Sequence, residues 1–406
     1  MRTVGIICEY NPFHTGHKRQ IDILRSMGYD CIVCVMSGNY TQRGELAIFD
    51  KYTRAEGALL CGADVVLELP FPYSSLSAEG FAEGGVHILA SLGVDAISFG
   101  SECGDLNVLD HITNSLLSEE FAQIYSDLQK GGLGSASAYF EALKRVSGAD
   151  QELLSNDILA ISYLASIKRN KADIEALPIK REGAAYNEEK LSGGVLPSAS
   201  AIRRSMTIST DSFTDLFCNY IPEGALGVFK NAIDEKLAPV YAESIGKEIL
   251  SFFKLLTPSE ITSRAILRSG GGIHIAEDGC GILERICNVA STSKSYGEFL
   301  RSCYTSKYTN ARINRVILFS LAGVTQHIAQ AHPEYTALLA ANAAGREFLA
   351  SARKKSQIKI VTKPADAPKH SHQKTVCDAA DSLYSSAIPK NVSDDFFIKS
   401  RPFILK

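Results

Sequence analysis

Two histidines, His14 and His17, follow the first apolar segment of the chain at a spacing of three positions. If a helix begins there, both imidazoles lie on one face of it. A helix start also presents unpaired backbone N–H groups and the positive end of the helix dipole. Pro12 sets the preceding turn, and Gly16 allows a bulky ligand to approach the backbone. At the carboxyl end of a strand, these features together predict a phosphate-binding site.

A zinc site and a pair of ordinary surface histidines are the alternative interpretations of His14 and His17. Zinc needs a third and a fourth ligand, and the sequence offers none at useful local spacing. We therefore predict phosphate binding by these histidines and assign no metal ligands.

A second group of polar residues, Ser198, Ser200 and Arg203, begins a later segment of helical character. Hydroxyl groups at a helix start can donate to phosphate oxygens, and Arg203 can bind negative charge one turn later. A serine-rich helix start is common by itself, because serine caps helices well. Paired with the two histidines, it becomes a specific signal for a polyphosphate site.

Short apolar segments alternate with segments of helical spacing in the first half of the chain. Strands separated by helices imply right-handed crossovers and a Rossmann-like α/β fold with a mostly parallel sheet. The predicted strands are Thr3–Cys8, Cys31–Met36, Asp64–Leu69, Asp95–Phe99 and Ile174–Ile179. The predicted helices cover about 16–24, 78–92, 157–167 (capped by Ser155 or Asn156) and 198–204. Helical periodicity then dominates, which predicts a catalytic domain at 1–210 and a mainly helical domain at 211–406.

The composition is that of an ordinary globular protein, with 45% apolar and 21% charged residues. No apolar segment approaches the roughly 18 residues of a membrane helix, so no membrane partner is expected. The acid at Glu9 comes too early for a secretory signal, and ten dispersed cysteines suit a reducing cytoplasm. No obligate protein partner is evident.

The charge is unevenly distributed along the chain. Residues 1–250 hold 21 Lys+Arg against 33 Asp+Glu, whereas residues 251–365 hold 15 against 7. This asymmetry suggests that one part performs chemistry while another binds a polyanion. Chance clustering of solvated helix faces is the alternative.

The two polar motifs resemble the HxGH and ISSTxIR signatures of the nucleotidylyltransferase superfamily. The resemblance implies that His14 and His17 stabilise a triphosphate, while the serines and Arg203 hold the departing pyrophosphate. Glu9 stands where those enzymes usually have glycine, and Ala199 replaces one hydroxyl residue.

Nearly the whole chain is similar to the bacterial tRNA(Met) cytidine acetate ligase family. The similarity is carried by Cys8–His17, Met36–Glu45, Phe99–Glu102, Ser155–Leu159 and Ile179–Arg181. It implies that acetate attacks the α-phosphorus of ATP to give acetyl-adenylate. The wobble cytidine of elongator tRNA(Met) then takes the acetyl group on N4. The implied catalytic residues are His14, His17, Lys18 and Arg203, acting with Mg²⁺. The resemblance also implies a set of ATP-binding residues. This set contains Ser198 and Ser200 of the second motif and the residues Ile7, Cys8, Glu9, Tyr10, Asn11, Pro12, Phe13, His14, Thr15, Gly16, His17, Lys18, Arg19, Gln20, Gly100, Asn156 and Arg181.

A basic and aromatic segment in the second half is the candidate for binding tRNA. Its cations can contact phosphates, while its tyrosines can stack on unpaired bases. The candidate residues are Arg301, Tyr304, Lys307, Arg312 and Arg315.

The sequence leaves other interpretations open. A small-molecule adenylyl- or cytidylyltransferase would explain both phosphate motifs but not the basic second half, and a catalytically silent RNA-binding protein would explain that half alone. Arg43 could bind phosphate or the acyl-adenylate, or form an ion pair with Glu45 or Asp50. Cys8 could form a thioester, but its position in an apolar strand is more typical of a packed thiol.

Overall fold

The structure is a computed structural model that describes residues 1–148, 153–181, 199–206, 213–279, 281–305, 307–393 and 395–405. Five parallel strands form its central part: β1 (Thr3–Cys8), β2 (Cys31–Ser37), β3 (Val65–Leu69), β4 (Ala96–Ser101) and β5 (Glu175–Lys180). Their order in space is β5-β4-β1-β2-β3. The predicted α/β class with a mostly parallel sheet is confirmed, and all five predicted strands are present.

Three further strands from the second half extend the same sheet. They are β6 (Tyr335–Ala341), β7 (Lys359–Val361) and β8 (Phe403–Ile404), and β6 pairs antiparallel with β3. The sequence analysis missed β6, because alanine and leucine favour helices over strands. Burial of every β6 residue against the sheet overrides that local preference. The division near residue 210 stays a prediction, but the sheet runs across it.

Helices cover both faces of the sheet. In the first half they are α1 (Thr15–Ser26), α2 (Lys51–Leu60), α3 (Ala78–Leu92), α4 (Leu106–Leu116), α5 (Glu119–Lys130), α6 (Ser135–Ser147), α7 (Ser155–Arg169) and α8 (Ala199–Met206). The remainder are α9 (Phe213–Phe217), α10 (Glu223–Asp234), α11 (Gly246–Leu255), α12 (Pro258–Ser269), α13 (Ile282–Thr292), α14 (Tyr296–Cys303), α15 (Asn310–Ala322), α16 (Gln326–Ala329), α17 (Ala343–Ala352), α18 (His372–Ala387) and α19 (Phe396–Lys399). Among the described residues, no helix is both long enough and apolar enough to cross a bilayer.

The predicted cap of α7 was wrong. Ser155 and Asn156 lie inside the first turn, and the capping position is Leu154, which makes no side-chain cap. Glu102, on the loop after β4, stabilises this helix start instead, because its carboxylate accepts from the Asp157 backbone N–H at 3.1 Å and from the Asn156 amide. A residue 54 positions away therefore supplies the hydrogen-bond acceptor that a local cap would provide.

The two helices flanking β1 lie on opposite faces of the sheet. Ile21 of α1 packs with Val4 and Ile6 on one face, whereas Val86 of α3 packs with Ile7 on the other. In a parallel sheet, this change of face opens a crevice at the carboxyl ends of the strands, which is where such folds bind ligands.

Candidate functional site

A cavity of about 270 Å³ lies at the carboxyl ends of β1 and β4. It joins segments that are almost 200 positions apart in the sequence, because the start of α8 closes it opposite β1. Most residues of the predicted nucleotide site line it: Ile7, Cys8, Glu9, Tyr10, Asn11, His14, His17, Gln20, Gly100, Asn156, Arg181, Ser200 and Arg203.

The two histidines lie in this cavity at the start of α1. Their rings stack with 3.8 Å between centroids and a 29° interplanar angle. The Nδ1 of His14 accepts from the Gly16 backbone N–H at 3.0 Å, and the Nδ1 of His17 accepts from the His14 backbone N–H at 3.3 Å. Because each Nδ1 is an acceptor, each neutral ring carries its proton on Nε2. Both Nε2–H groups therefore remain as donors for a ligand.

Burial keeps both imidazoles neutral at physiological pH. Desolvation, together with the positive charges of Arg181 and Arg203, lowers the pKa of His14 to about 3. Desolvation also lowers the pKa of His17 well below its usual value, and His14 and Arg181 add to the effect. A polyanion bound here would offset the two guanidinium charges and raise both pKa values.

The two arginines approach the histidines from different elements. Arg203 of α8 donates to the Asn11 carbonyl oxygen and, at 3.2 Å, to the hydroxyl of Ser200. Arg181 follows β5 and packs over Gly100, where a Cβ atom would come within 3.3 Å of its side chain. Two cations, of which Arg203 is held by hydrogen bonds, beside two neutral donors make a site suited to a phosphate chain.

A buried arginine that sequence reasoning missed holds the cavity rim. Arg54 of α2 is fully buried and donates to the carbonyl oxygens of Glu9 at 2.6 Å and Ser37 at 3.1 Å. These carbonyls lie at the carboxyl ends of β1 and β2, so Arg54 ties together the two strand ends that shape the site. The Glu9 carboxylate extends this connection by accepting from the Gln42 backbone N–H at 2.8 Å.

An apolar wall on the α3 and α7 side was also missed. It consists of Phe81, Phe99, Leu159 and Tyr163, with 5.6 Å between the ring centroids of Phe99 and Tyr163. Helical periodicity for Phe81, Leu159 and Tyr163, and an apolar strand for Phe99, predict only that these residues are buried. Neither pattern shows that their edges face a cavity. Such a surface can pack against a nucleobase while the cations hold the phosphates.

Several predicted residues do not line the cavity. Lys18 forms an ion pair with Asp22 one turn along α1, and Arg19 is exposed.

Other predicted residues lie behind or beside the cavity. Pro12 and Phe13 are buried behind the site, where Phe13 packs against His17. Thr15 lies in the first turn of α1 outside the cavity lining. Ser198 lies outside the described residues.

Gly16 lies against the ring of His14. A Cβ atom there would lie 2.9 Å from Cε1 of His14. The glycine therefore makes room for the His14 ring, which caps the helix, and close approach of a ligand at Gly16 stays a prediction.

The predicted tRNA-binding residues fall into two groups. Arg301 and Lys307 are exposed, and the Lys307 ammonium lies 5.3 Å from the ring centroid of Tyr308. Arg312 donates to the Glu277 carbonyl oxygen at 3.1 and 3.0 Å, which uses part of its guanidinium. Tyr304 donates to the Asn314 side-chain oxygen at 3.0 Å.

Arg315 lies inside the protein instead of on an RNA-facing surface. It is 9% exposed, and it pairs with the Glu277 carboxylate at 2.6 and 2.7 Å. Its third contact is the Gln42 carbonyl oxygen at 3.2 Å, which links α15 to the loop after β2. Sequence inspection could not identify a partner 38 positions away.

Among the described residues, no group of three or more His, Cys, Asp or Glu side chains could hold a metal ion. The one carboxylate in the described cavity lining is that of Glu9.

This chain is similar to known proteins over nearly its whole length. Residues 1–396 match the family model described as HIGH Nucleotidyl Transferase. The tRNA(Met) cytidine acetate ligase of Acetivibrio thermocellus is 35% identical over 381 residues, which cover 90% of this chain and 89% of that protein. The ligase of the same name from Caldicellulosiruptor saccharolyticus is 36% identical over 368 residues, covering 89% and 87%.

Two crystal structures of Thermotoga maritima TmcAL have the same fold. The apo structure superposes with a TM-score of 0.89 at 30% identity, and the structure with alpha-thio ATP with a TM-score of 0.85 at 29% identity. In both comparisons, all of each chain is covered.

Proposed function

The chain belongs to the HIGH nucleotidyl transferase family and, within it, to the tRNA(Met) cytidine acetate ligases, and from this premise we propose that it couples ATP cleavage to acetylation of tRNA(Met). The observation that carries the proposal is the cavity at the end of β1. There, two neutral imidazoles and two guanidinium groups from distant segments line one cavity of about 270 Å³.

In the first step, an acetate oxygen attacks the α-phosphorus of ATP. A new P–O bond forms while the bond to the pyrophosphate oxygen breaks, giving acetyl-adenylate and pyrophosphate. The Nε2–H groups of His14 and His17 donate to phosphate oxygens, and Arg203 with Ser200 neutralises the departing pyrophosphate. Positioning and charge neutralisation suffice for this step, so no covalent enzyme intermediate is needed.

In the second step, the N4 amine of a cytidine attacks the acyl carbon and AMP leaves. The amine is a weak nucleophile, because its lone pair is delocalised into the ring. It therefore requires an acyl group activated as a mixed anhydride, which explains why ATP must be used first. Burial raises the pKa of Cys8 well above its usual value, which argues against a thioester in this step.

Mg²⁺ belongs to the proposal as a partner of the nucleotide. When bound, it neutralises charge on the phosphate oxygens. Glu9 fits this role, since Mg²⁺ commonly takes one or two carboxylates together with substrate phosphates, and we assign Glu9 as the protein ligand. Gly100, Asn156 and Arg181 are assigned to the nucleotide, next to the apolar wall.

The tRNA is proposed to contact the second half of the chain through Arg301 and Lys307, which are exposed. Arg312 and Tyr304 are secondary contacts, because each already has a hydrogen-bond partner within the protein.

The test is pyrophosphate release from ATP by the purified protein with and without acetate, followed by addition of tRNA. We expect release to depend on acetate and label from acetate to enter tRNA. Release that ignores acetate, with no label in RNA, would contradict the proposal and favour transfer of the nucleotide to another acceptor.

A further inference from the structure

A second cavity, of about 440 Å³, lies beside the first. Its walls come from the loop after β2, the end of α8, residues 240–249, α14 and α15. Its size falls within the range of small-molecule sites in proteins. None of the phosphate motifs lies in it except Arg203.

The two cavities share a thin partition. Thr41, Gln42 and Arg43 line the first cavity, and the next residues, Gly44 and Glu45, line the second. This turn is closed by backbone hydrogen bonds of 2.9 Å between Thr41 and Glu45 and between Gly44 and Thr41. Arg203 belongs to both linings. The two cavities therefore meet at Arg203 and at the turn formed by residues 41–45.

Gly44 is required for this partition. Its φ is +71°, and a Cβ atom there would lie 2.6 Å from the Arg315 backbone nitrogen. The turn thus rests directly on α15 at Asn314 and Arg315, and Asn314 also lines the second cavity. Arg315 fixes the contact by donating to the Gln42 carbonyl oxygen.

The second cavity combines aromatic surface with polar groups of both kinds. The rings of Tyr296 and Tyr304 line it. Because the Asn314 side-chain oxygen accepts from Tyr304, its amide N–H groups are left as donors, and they have no partner among the described residues. The Glu45 carboxylate accepts no hydrogen bond from any described residue, which leaves it as an acceptor. Desolvation raises the pKa of Glu45, while Arg203 and Arg43 lower it. The carboxylates of Glu9 and Glu243, the second of which lines the same cavity, raise it further.

This pattern matches the hydrogen-bonding edge of cytosine. The base has an exocyclic amine that donates, next to a ring nitrogen and a carbonyl oxygen that accept. An amine facing Glu45 and a carbonyl facing Asn314 would satisfy both protein groups, and the tyrosine rings suit stacking on an unpaired base. The exposed cations Arg301 and Lys307 lie close in sequence to Leu300 and Tyr304 of the wall, so they can hold the flanking RNA backbone.

We propose that the second cavity binds the acceptor cytosine, extruded from the anticodon loop, with its amine directed to Glu45 at the partition. This assignment rests on the proposed function. An enzyme that modifies a base must first take it out of the stack and hold it in a pocket.

Glu45 then acts in the transfer step. The lone pair of N4 forms a C–N bond to the acyl carbon, and the C–O bond to the adenylate breaks with its electron pair leaving on AMP. One amine proton passes to the Glu45 carboxylate and from there to water. Acetyl-adenylate and cytidine thus become N4-acetylcytidine and AMP, with one proton released.

The experiment measures the two half-reactions separately, as acetate-dependent exchange between pyrophosphate and ATP and as acetyl transfer to an anticodon stem-loop RNA. For Glu45→Gln, we expect exchange within about twofold of the parent and transfer reduced roughly 100-fold, as for removal of a general base. The parent's transfer rate should decline as the pH falls, and this decline should disappear in Glu45→Gln.

Two tyrosine variants test the binding wall. Tyr304→Ala should raise KM for the RNA roughly tenfold, within the range for loss of one stacked base. Tyr304→Phe keeps the ring but loses the hydrogen bond that orients Asn314, so it should raise KM less than Tyr304→Ala does. Glu347→Gln, at an exposed position on α17, is the matched charge control and should behave like the parent.

Normal transfer by both Glu45→Gln and Tyr304→Ala would overturn this assignment while leaving the proposed function intact. Equal loss of exchange and transfer in Glu45→Gln would also overturn it, because Glu45 would then belong to the ATP site. A parent protein that shows neither half-reaction would instead contradict the proposed function itself.

Discussion

The guanidinium of Arg203 donates to the main-chain carbonyl oxygen of Asn11 at 2.7 Å. This bond joins the two phosphate motifs, which are 192 positions apart. Because Arg203 is anchored to the turn that precedes α1, its charge is fixed relative to the two imidazoles before any ligand binds. Such preorganisation is what makes charge stabilisation effective in a transition state.

Arg203→Lys should therefore impair the adenylation step although the charge is retained. A lysine ammonium cannot bind Asn11, Ser200 and a phosphate in the planar arrangement that arginine allows. We expect acetate-dependent pyrophosphate exchange to fall by roughly 100-fold. Arg346→Lys, at an exposed position on α17, is the control. If Arg203→Lys exchanged pyrophosphate with ATP at the parent rate, the planar guanidinium would not be required for binding the phosphate.

His14→Asn separates the two roles of His14, capping of α1 and donation to the ligand. Asparagine is a good helix cap and can accept from the Gly16 backbone N–H, but it places no donor where the Nε2–H lies. We expect a folded protein with exchange reduced by roughly 100-fold and with unchanged affinity for tRNA. His14→Ala should lose exchange as well and, lacking the cap, about 1 kcal/mol of unfolding free energy. Acetylation by either variant at the parent rate would contradict the assigned role.

The two histidines should make the protein less stable in acid. Their pKa values are lowered in the folded state, to about 3 for His14, whereas in the unfolded chain they are about 6.5. The unfolded state therefore binds more protons below about pH 6.5, and the free energy of unfolding falls as the pH falls. Thermal unfolding at about pH 7 and about pH 5 should show a smaller loss of Tm in His14→Asn. An equal loss in variant and parent would show that other groups dominate.

Arg54→Met should damage both stability and the nucleotide site. It leaves the buried carbonyl oxygens of Glu9, Ser37 and Phe49 without their donor. An unsatisfied buried polar group costs about 1–3 kcal/mol, so denaturant unfolding should report a loss of about 3 kcal/mol or more. ATP affinity at permissive temperature should fall as well, because the two strand ends are no longer tied together. A variant of parental stability would mean that water replaces the guanidinium.

Substitutions of the exposed and the buried cations of the second half should have different effects. The double variant Arg301→Glu, Lys307→Glu should bind tRNA more weakly and reduce the slope of log affinity against log salt by about 2, with exchange unchanged. Arg315→Met should instead lower the free energy of unfolding by about 3 kcal/mol, because it leaves the partly buried Glu277 carboxylate without its guanidinium partner. If Arg315→Met altered only the salt slope, Arg315 would be an RNA contact after all.

The strands of the first half, four of its helices and the two polar motifs were readable from the sequence alone, whereas α2, α4, α5 and α6 were missed. Strands β1 to β5 and helix α3 follow from apolar runs and helical spacing, because each is determined by a short stretch of chain that must bury one or both faces. His14, His17 and Arg203 were found for a similar reason: their chemistry needs a strand end or a helix start, and both have sequence signatures.

The tertiary structure decided which polar groups meet. Arg54 and Arg315 look like surface cations in the sequence, but their partners lie on distant elements, and only the packed fold buries them. Strand β6 has a helix-like composition and becomes a strand because the edge of β3 is available to it. The second cavity has no sequence signature at all. Its walls come from segments spread between residues 44 and 383, and the space between them exists only once those segments pack.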